Sequence, residues 1–153
     1  MNYYFVFDVE SIGLYGEGFA IGYVIVDQDG NELASNYLAC LSENAIGLEE
    51  EREWIEAFVL PFLPAPTIEN YTLATPHSIR EVFWSHWLQF KKEYPYIRAV
   101  TDCGYPVETN FLTATIKDFI ERGLHDEKWN APYPLLDLSN FLARRRKPRA
   151  VTQ

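Results

Sequence analysis

The chain opens on an almost wholly apolar run, Tyr3-Tyr4-Phe5-Val6-Phe7, which ends in Asp8-Val9-Glu10 and the turn Ser11-Ile12-Gly13-Leu14. That run reads as a strand. Tyr15-Gly16-Glu17-Gly18 then leads into Phe19 to Val26, a second strong strand, and Asp27-Gln28-Asp29-Gly30-Asn31 supplies turn chemistry before a third, Glu32 to Leu41. After the three strands the pattern changes period. Glu49 to Leu60 places Trp54, Phe58 and Val59 at the spacing of one buried helical stripe, and Pro61, Pro64 and Pro66 end it. Thr67 to Pro76 is polar and mixed, the segment expected to move most. A second helix runs from a Ser78 cap through Val82, Phe83, Trp87, Leu88 and Phe90 to Glu93, with its aromatics in the core. Ile97 to Thr101 is a fourth, short strand. Pro106 suits a first helical turn, and a helix follows from Val107 to about Arg122.

A length of 153 residues, 48% hydrophobic and 16% aromatic, fits one domain with an adequate core. No apolar stretch is long enough to cross a membrane and no basic leader precedes the first strand, so the expected location is cytoplasmic. Cys40 and Cys103 are too few for a disulfide framework and lack zinc-site spacing, so both are expected to be buried thiols. A net charge of -9 argues against a broad basic footprint for duplex nucleic acid. Part of the acidity is local, since Glu49, Glu50, Glu51 and Glu53 crowd a helix start, where the macrodipole favours them. Arg144, Arg145, Arg146, Lys147 and Arg149 make a basic tail, and the domain is divided accordingly into 1–143 and a tail over 144–153.

The candidate chemistry lies at the end of the first strand. Alternate strand residues share a face, so Asp8 and Glu10 point together while Val9 points away. Two such carboxylates repel until one takes a proton or a cation sits between them, and an all-oxygen set suits Mg2+ or Mn2+. Asp102 ends the fourth strand and Glu108 opens the helix after it, which puts either acid near the first pair at the carboxyl edge of an α/β sheet. Both are kept as candidates.

Asp-x-Glu on a strand, a Gly-Leu turn, a strand with Ala20-Ile21-Gly22-Tyr23-Val24 and a hairpin resemble the first motif of the DEDD exonuclease superfamily, to which ribonuclease T and the proofreading subunit of DNA polymerase III belong. Glu108, three residues before Phe111-Leu112, is similar to the second motif, with Glu where the family has Asp. Tyr133 to Arg144 looks like the strand and helix that follow in the family, where the acid at Asp137 is usually structural. The resemblance implies an α/β fold of the ribonuclease H-like kind: a mixed five-stranded sheet with an antiparallel three-strand meander and flanking helices. It also implies two divalent ions, Mg2+ or Mn2+, held by Asp8, Glu10 and Asp102 or Glu108, with Ser11, Gly13 and Leu14 bordering the terminal nucleotide. The implied activity is 3′–5′ exonucleolytic hydrolysis of single-stranded RNA or DNA ends, short oligonucleotides included.

The third motif, a His or Tyr followed four or five residues later by Asp, does not follow Glu108 in these residues. His125 stands twelve before Asp137 and reads as a surface-loop histidine. A second reading is therefore a catalytically degenerate domain of the same fold that binds nucleotides, nucleic-acid ends or another protein. A third is a homo-oligomer in which a partner chain supplies the missing helix.

Overall fold

The computed structural model of the chain describes residues 1–64 and 73–145. Among the described residues five strands form one mixed sheet: β1 (Tyr3–Ser11), β2 (Gly18–Asp27), β3 (Glu32–Ala39), β4 (Arg98–Thr101) and β5 (Leu136–Asp137), in the order β3-β2-β1-β4-β5. The first three are an antiparallel meander, and β4 runs parallel to β1 and β5 parallel to β4. Helices α1 (Glu49–Phe58), α2 (Pro76–Glu93), α3 (Val107–Glu121) and α4 (Leu138–Arg145) flank the sheet. The sequence therefore anticipates the α/β class, the strand count and the meander.

Alternation decides which face becomes the core. Phe5, Phe7 and Val9 of β1 are buried together with Phe19, Ile21, Tyr23 and Ile25 of β2. Against them lie Ile79, Phe83, Trp84 and Trp87 of α2 and Phe111, Thr115 and Phe119 of α3. Phe5 stacks on Tyr23 at 4.9 Å and meets Trp87 edge-on at 5.4 Å, while Phe83 meets Phe111 edge-on at 5.2 Å. Such offset and edge contacts are the arrangements that aromatic quadrupoles favour. The aromatics of α2 are core residues, as their spacing predicts.

The β1–β2 ladder slips between Glu10 and Ser11, where Glu10 pairs with Ala20 but Ser11 with Gly18. An extra residue of this kind bends the strand end and re-aims its side chains. Gly18 leaves little room beside it, because a Cβ there would stand 3.0 Å from Val9 Cγ1 and 3.1 Å from Phe111 Cδ2. The missing side chain lets α3 come down close to β1, which sets the start of α3 beside the acid pair.

Several expectations are corrected. α2 begins at Pro76, with the Thr75 hydroxyl accepting from Ser78 N at 3.2 Å, so Thr75 and not Ser78 is its cap. Pro at the first helical position explains the earlier start, since its missing N–H costs nothing there. Thr75→Ala is expected to lower stability by about 1 kcal/mol, read from urea unfolding midpoints. Trp54 and Phe58 do not form a buried stripe: they are 57% and 61% exposed, and Ile55 is the buried residue of α1. The main neighbours of α1 are the short turns Ser42–Asn44 and Leu60–Phe62, so it lies at the rim and only one residue meets the core. Cys40 is buried as expected, but Cys103 is exposed in the loop after β4. Arg144 and Arg145 belong to α4 and not to a separate tail, while Arg146, Lys147 and Arg149 lie outside the described residues. Pro66 and residues 67–72 of the segment expected to move also lie outside them. Among the described residues no helix is long and apolar enough to cross a membrane.

Candidate functional site

Asp8 and Glu10 lie on the face of β1 opposite Phe5, Phe7 and Val9, with Asp8 exposed and Glu10 half-buried. Burial raises the Glu10 carboxyl above its usual value, and the nearby Asp8 charge raises it further. The shared face and the mutual repulsion are those expected of an Asp-x-Glu pair at a strand end.

Glu108 joins them by a backbone route. The parallel ladder between β1 and β4 ends with the pair Val6–Val100 and β4 itself stops at Thr101. The Val9 N–H, further along β1, donates instead to Glu108 Oε1 at 3.2 Å. A buried N–H needs such a partner, and a side chain from the first turn of α3 supplies it. Glu108 is 4% exposed, and its carboxyl group lies close enough to that of Asp8 to feel its charge. Burial, with the Asp8 contact adding to it and the Val9 hydrogen bond opposing, pushes the Glu108 carboxyl up to about 7. Asp8 is thus common to two acid pairs, one with Glu10 and one with Glu108.

The raised Glu108 carboxyl makes stability depend on pH. A folded carboxyl titrating near 7, against 4.5 when free, keeps a proton that the unfolded chain releases. Its contribution is fully present below pH 4.5 and is lost as pH rises through 7. By linkage the loss is on the order of 3 kcal/mol. Glu108→Gln keeps an acceptor for Val9 N–H and cannot ionise. In metal-free buffer the variant and the natural protein should unfold at similar urea concentrations at pH 4, and the variant should be the more stable at pH 8.

Asp102 is exposed, and its backbone carbonyl accepts from Ser139 N at 2.8 Å. Among the described residues no hydrogen bond or ion pair joins its side chain to the other acids. Asp137 accepts from Gly104 N at 3.0 Å, Ser139 N at 3.0 Å and the Ser139 hydroxyl, and these bonds, Ser139's hydroxyl first, hold its carboxyl below the usual range. It clamps the start of α4 to the β4–α3 loop. Of the two acids left open by the sequence, Glu108 is the one placed beside Asp8. His125 is exposed on the short turn His125–Asn130, as expected of a surface histidine.

Beside Glu10 opens a cleft of about 490 Å³ lined by Ser11, Gly13, Leu14, Trp54 and Val107 among others. The Ser11 hydroxyl donates to Gly13 O at 2.6 Å, and Gly13 has φ +70°, a left-handed backbone that glycine adopts without strain. A side chain at Gly13 would also run into the Glu51 carboxylate, whose oxygen stands 1.9 Å from the position of a Cβ. Trp54, Glu51 and Val107 were not singled out as site residues from sequence. The misread α1 stripe was the available signal for Trp54, since a helix touching the core at one residue leaves its other apolar positions to the surface.

The donor chemistry, three carboxylates and no sulfur or imidazole, suits a hard divalent cation. The acids nevertheless meet two at a time, and among the described residues no three His, Cys, Asp or Glu side chains close into a ready coordination group. A proton on Glu108 relieves the same repulsion that a cation would relieve. No protein-family model matches the chain, and no match to it was found among curated proteins.

Proposed function

We propose that the chain is a divalent-cation-dependent 3′–5′ exonuclease of the DEDD type on a ribonuclease H-like sheet, acting on single-stranded RNA or DNA ends. The observation that carries this reading is Asp8, placed between Glu10 and Glu108 at the carboxyl edge of two parallel strands and beside an open, mostly apolar cleft. Asp8, Glu10 and Glu108 would hold Mg2+ or Mn2+. Such an ion, when bound, stabilises charge on phosphoryl oxygens and makes water a better nucleophile near neutral pH. The chain's own residues position the substrate. Leu14 and Trp54 offer apolar surface to a terminal base, while the turn fixed by Ser11 and Gly13 keeps that surface next to Glu10. The -9 charge is compatible with an end-binding enzyme that touches few phosphates.

A second reading, binding of strand ends without hydrolysis, is favoured by one observation: no histidine lines the cleft beside Glu10. A positioned base is worth about 10²–10⁴ in rate. The two readings separate when labelled single-stranded RNA and DNA oligonucleotides are incubated with Mn2+ or with EDTA. Stepwise shortening from the 3′ end in Mn2+ alone is the expected result. Heat of Mn2+ binding in a calorimeter without shortening selects the second reading, and neither heat nor shortening overturns both.

A further inference from the structure

Two helical stripes among the described residues are left in water. On α1, Trp54 and Phe58 stand one turn apart with ring centroids 5.5 Å from each other, and Phe62, in the turn that follows, is 87% exposed. Glu50, exposed as well, stands one turn before Trp54 on the same stripe. On α4, Leu138, Phe141 and Leu142 keep the i, i+3, i+4 spacing of one face and are 43%, 57% and 58% exposed. The same spacing puts position 145, an arginine, at the far end of that stripe. Each stripe therefore has an apolar body and one charged end. The charge is negative at the N-terminal end of α1 and positive at the C-terminal end of α4.

We infer that the α4 stripe of a second copy of this chain docks antiparallel on the α1 stripe. The lengths agree. From Glu50 to Phe58 is about 12 Å along a helix and from position 145 back to Leu138 about 10.5 Å, so antiparallel packing sets position 145 beside Glu50, and Phe141 and Leu142 over Trp54 and Phe58. That direction also sets the two helix dipoles against each other. Charge selects this occupant over others. α1 carries Glu49, Glu50, Glu51, Glu53 and Glu56, and its one cation, Arg52, is turned onto Glu49 and the carbonyls of Ser42 and Ala45. Such a helix repels a phosphodiester strand or an anionic lipid surface, whereas the chain's own positive charge is concentrated in Arg144, Arg145, Arg146, Lys147 and Arg149. Both stripes lie on every copy and both are exposed, so they meet only between copies, and two-fold symmetry makes the contact twice. Two helix pairs of this size form a small interface of the transient class. The pairing does not depend on the exonuclease reading.

The test is sedimentation equilibrium of the full chain in EDTA over a micromolar concentration series. A reversible equilibrium between monomer and dimer is expected, weakening as salt rises from about 0.05 to about 0.5 M. Phe58→Glu and Phe141→Glu, both at exposed positions that do not line the cleft beside Glu10, should each weaken dimerisation by about 30-fold or more and leave the melting temperature of the monomer unchanged. Glu50→Arg and Arg145→Glu should each weaken it by about tenfold. Carrying both exchanges together should restore it to within about threefold of the natural protein, a recovery that neither misfolding nor an unrelated interface gives. A monomer at every concentration overturns the inference, and so does a dimer indifferent to these substitutions. A monomer whose Phe58→Glu variant binds a labelled single-stranded oligonucleotide more weakly also overturns it, and assigns the α1 face to nucleic acid. Because association is read without metal or substrate, dimerisation without shortening in Mn2+ upholds the contact and rejects the hydrolase, whereas shortening by a monomer does the reverse.

Discussion

Asp8→Ala should reduce Mn2+-dependent shortening of a single-stranded oligonucleotide by about a hundred- to a thousandfold, the scale expected when a charge-stabilising group is removed from a reacting centre. The size of the effect follows from position. Asp8 alone belongs to both acid pairs, so its loss undoes the pairing with Glu10 and with Glu108 together. Stability should move the other way. Asp8 is exposed, so the substitution opens no cavity, and it removes a charge that raises both neighbouring carboxyls. The variant should therefore unfold at an equal or higher temperature at pH 8 in metal-free buffer, the trade of stability against function common at such sites. A drop in both activity and melting temperature would mean that Asp8 holds the fold and not the chemistry. Full activity in the variant would remove the acid cluster from the mechanism altogether.

How much of this was legible in the sequence varies with the range of the interaction. The meander was, because alternation and turn chemistry are local, and β2 and β3 depart from their expected bounds by no more than two residues. The common face of Asp8 and Glu10 was too, since it follows from a period of two. The choice between Asp102 and Glu108 was not. It depends on where β4 stops, which leaves Val9 N–H to be satisfied by a side chain 99 residues away. Periodicity also misled on α1, because a stripe shows that a helix has an apolar side without showing that anything covers it. Trp54 and Phe58 are 5.5 Å apart and touch each other at the surface.

Arg80 is a residue that sequence reading passed over and that fixes the rim of the site. Its guanidinium donates from Nε to Asp118 Oδ2 at 2.6 Å, from Nη2 to Asp118 Oδ1 at 3.2 Å and from Nη1 to Glu17 Oε2 at 3.0 Å. Burial disfavours the charge, but the hydrogen bonds to Asp118 and Glu17 outweigh it and Arg80 holds its proton more tightly than a free arginine. Glu17 in turn accepts from Ile46 N at 3.1 Å, so one cation ties the β1–β2 turn to α2, α3 and the segment before α1. Arg80→Met keeps most of the apolar stem and takes the guanidinium from two partly buried carboxylates, leaving Asp118 with His77 Nδ1 at 3.9 Å and Glu17 with Ile46 N. Breaking a pair of this kind costs about 3–5 kcal/mol, or roughly 10 °C in melting temperature for a domain of this size. Arg80→Lys should fall between, because a single ammonium cannot reproduce the fork on Asp118. The loss should change little between 0.05 and 0.5 M salt, since the side chains are 10%, 19% and 24% exposed and poorly screened. Asp118→Asn in the Arg80→Met background should recover part of it, since one uncompensated charge is then removed. The turn released by this change carries Gly13 and Leu14, which line the cleft and, on the proposed reading, would border the substrate. Conditions in which Arg80→Met is still folded should therefore raise KM for an oligonucleotide more than they lower kcat, and the opposite split would place Arg80 in the chemistry itself.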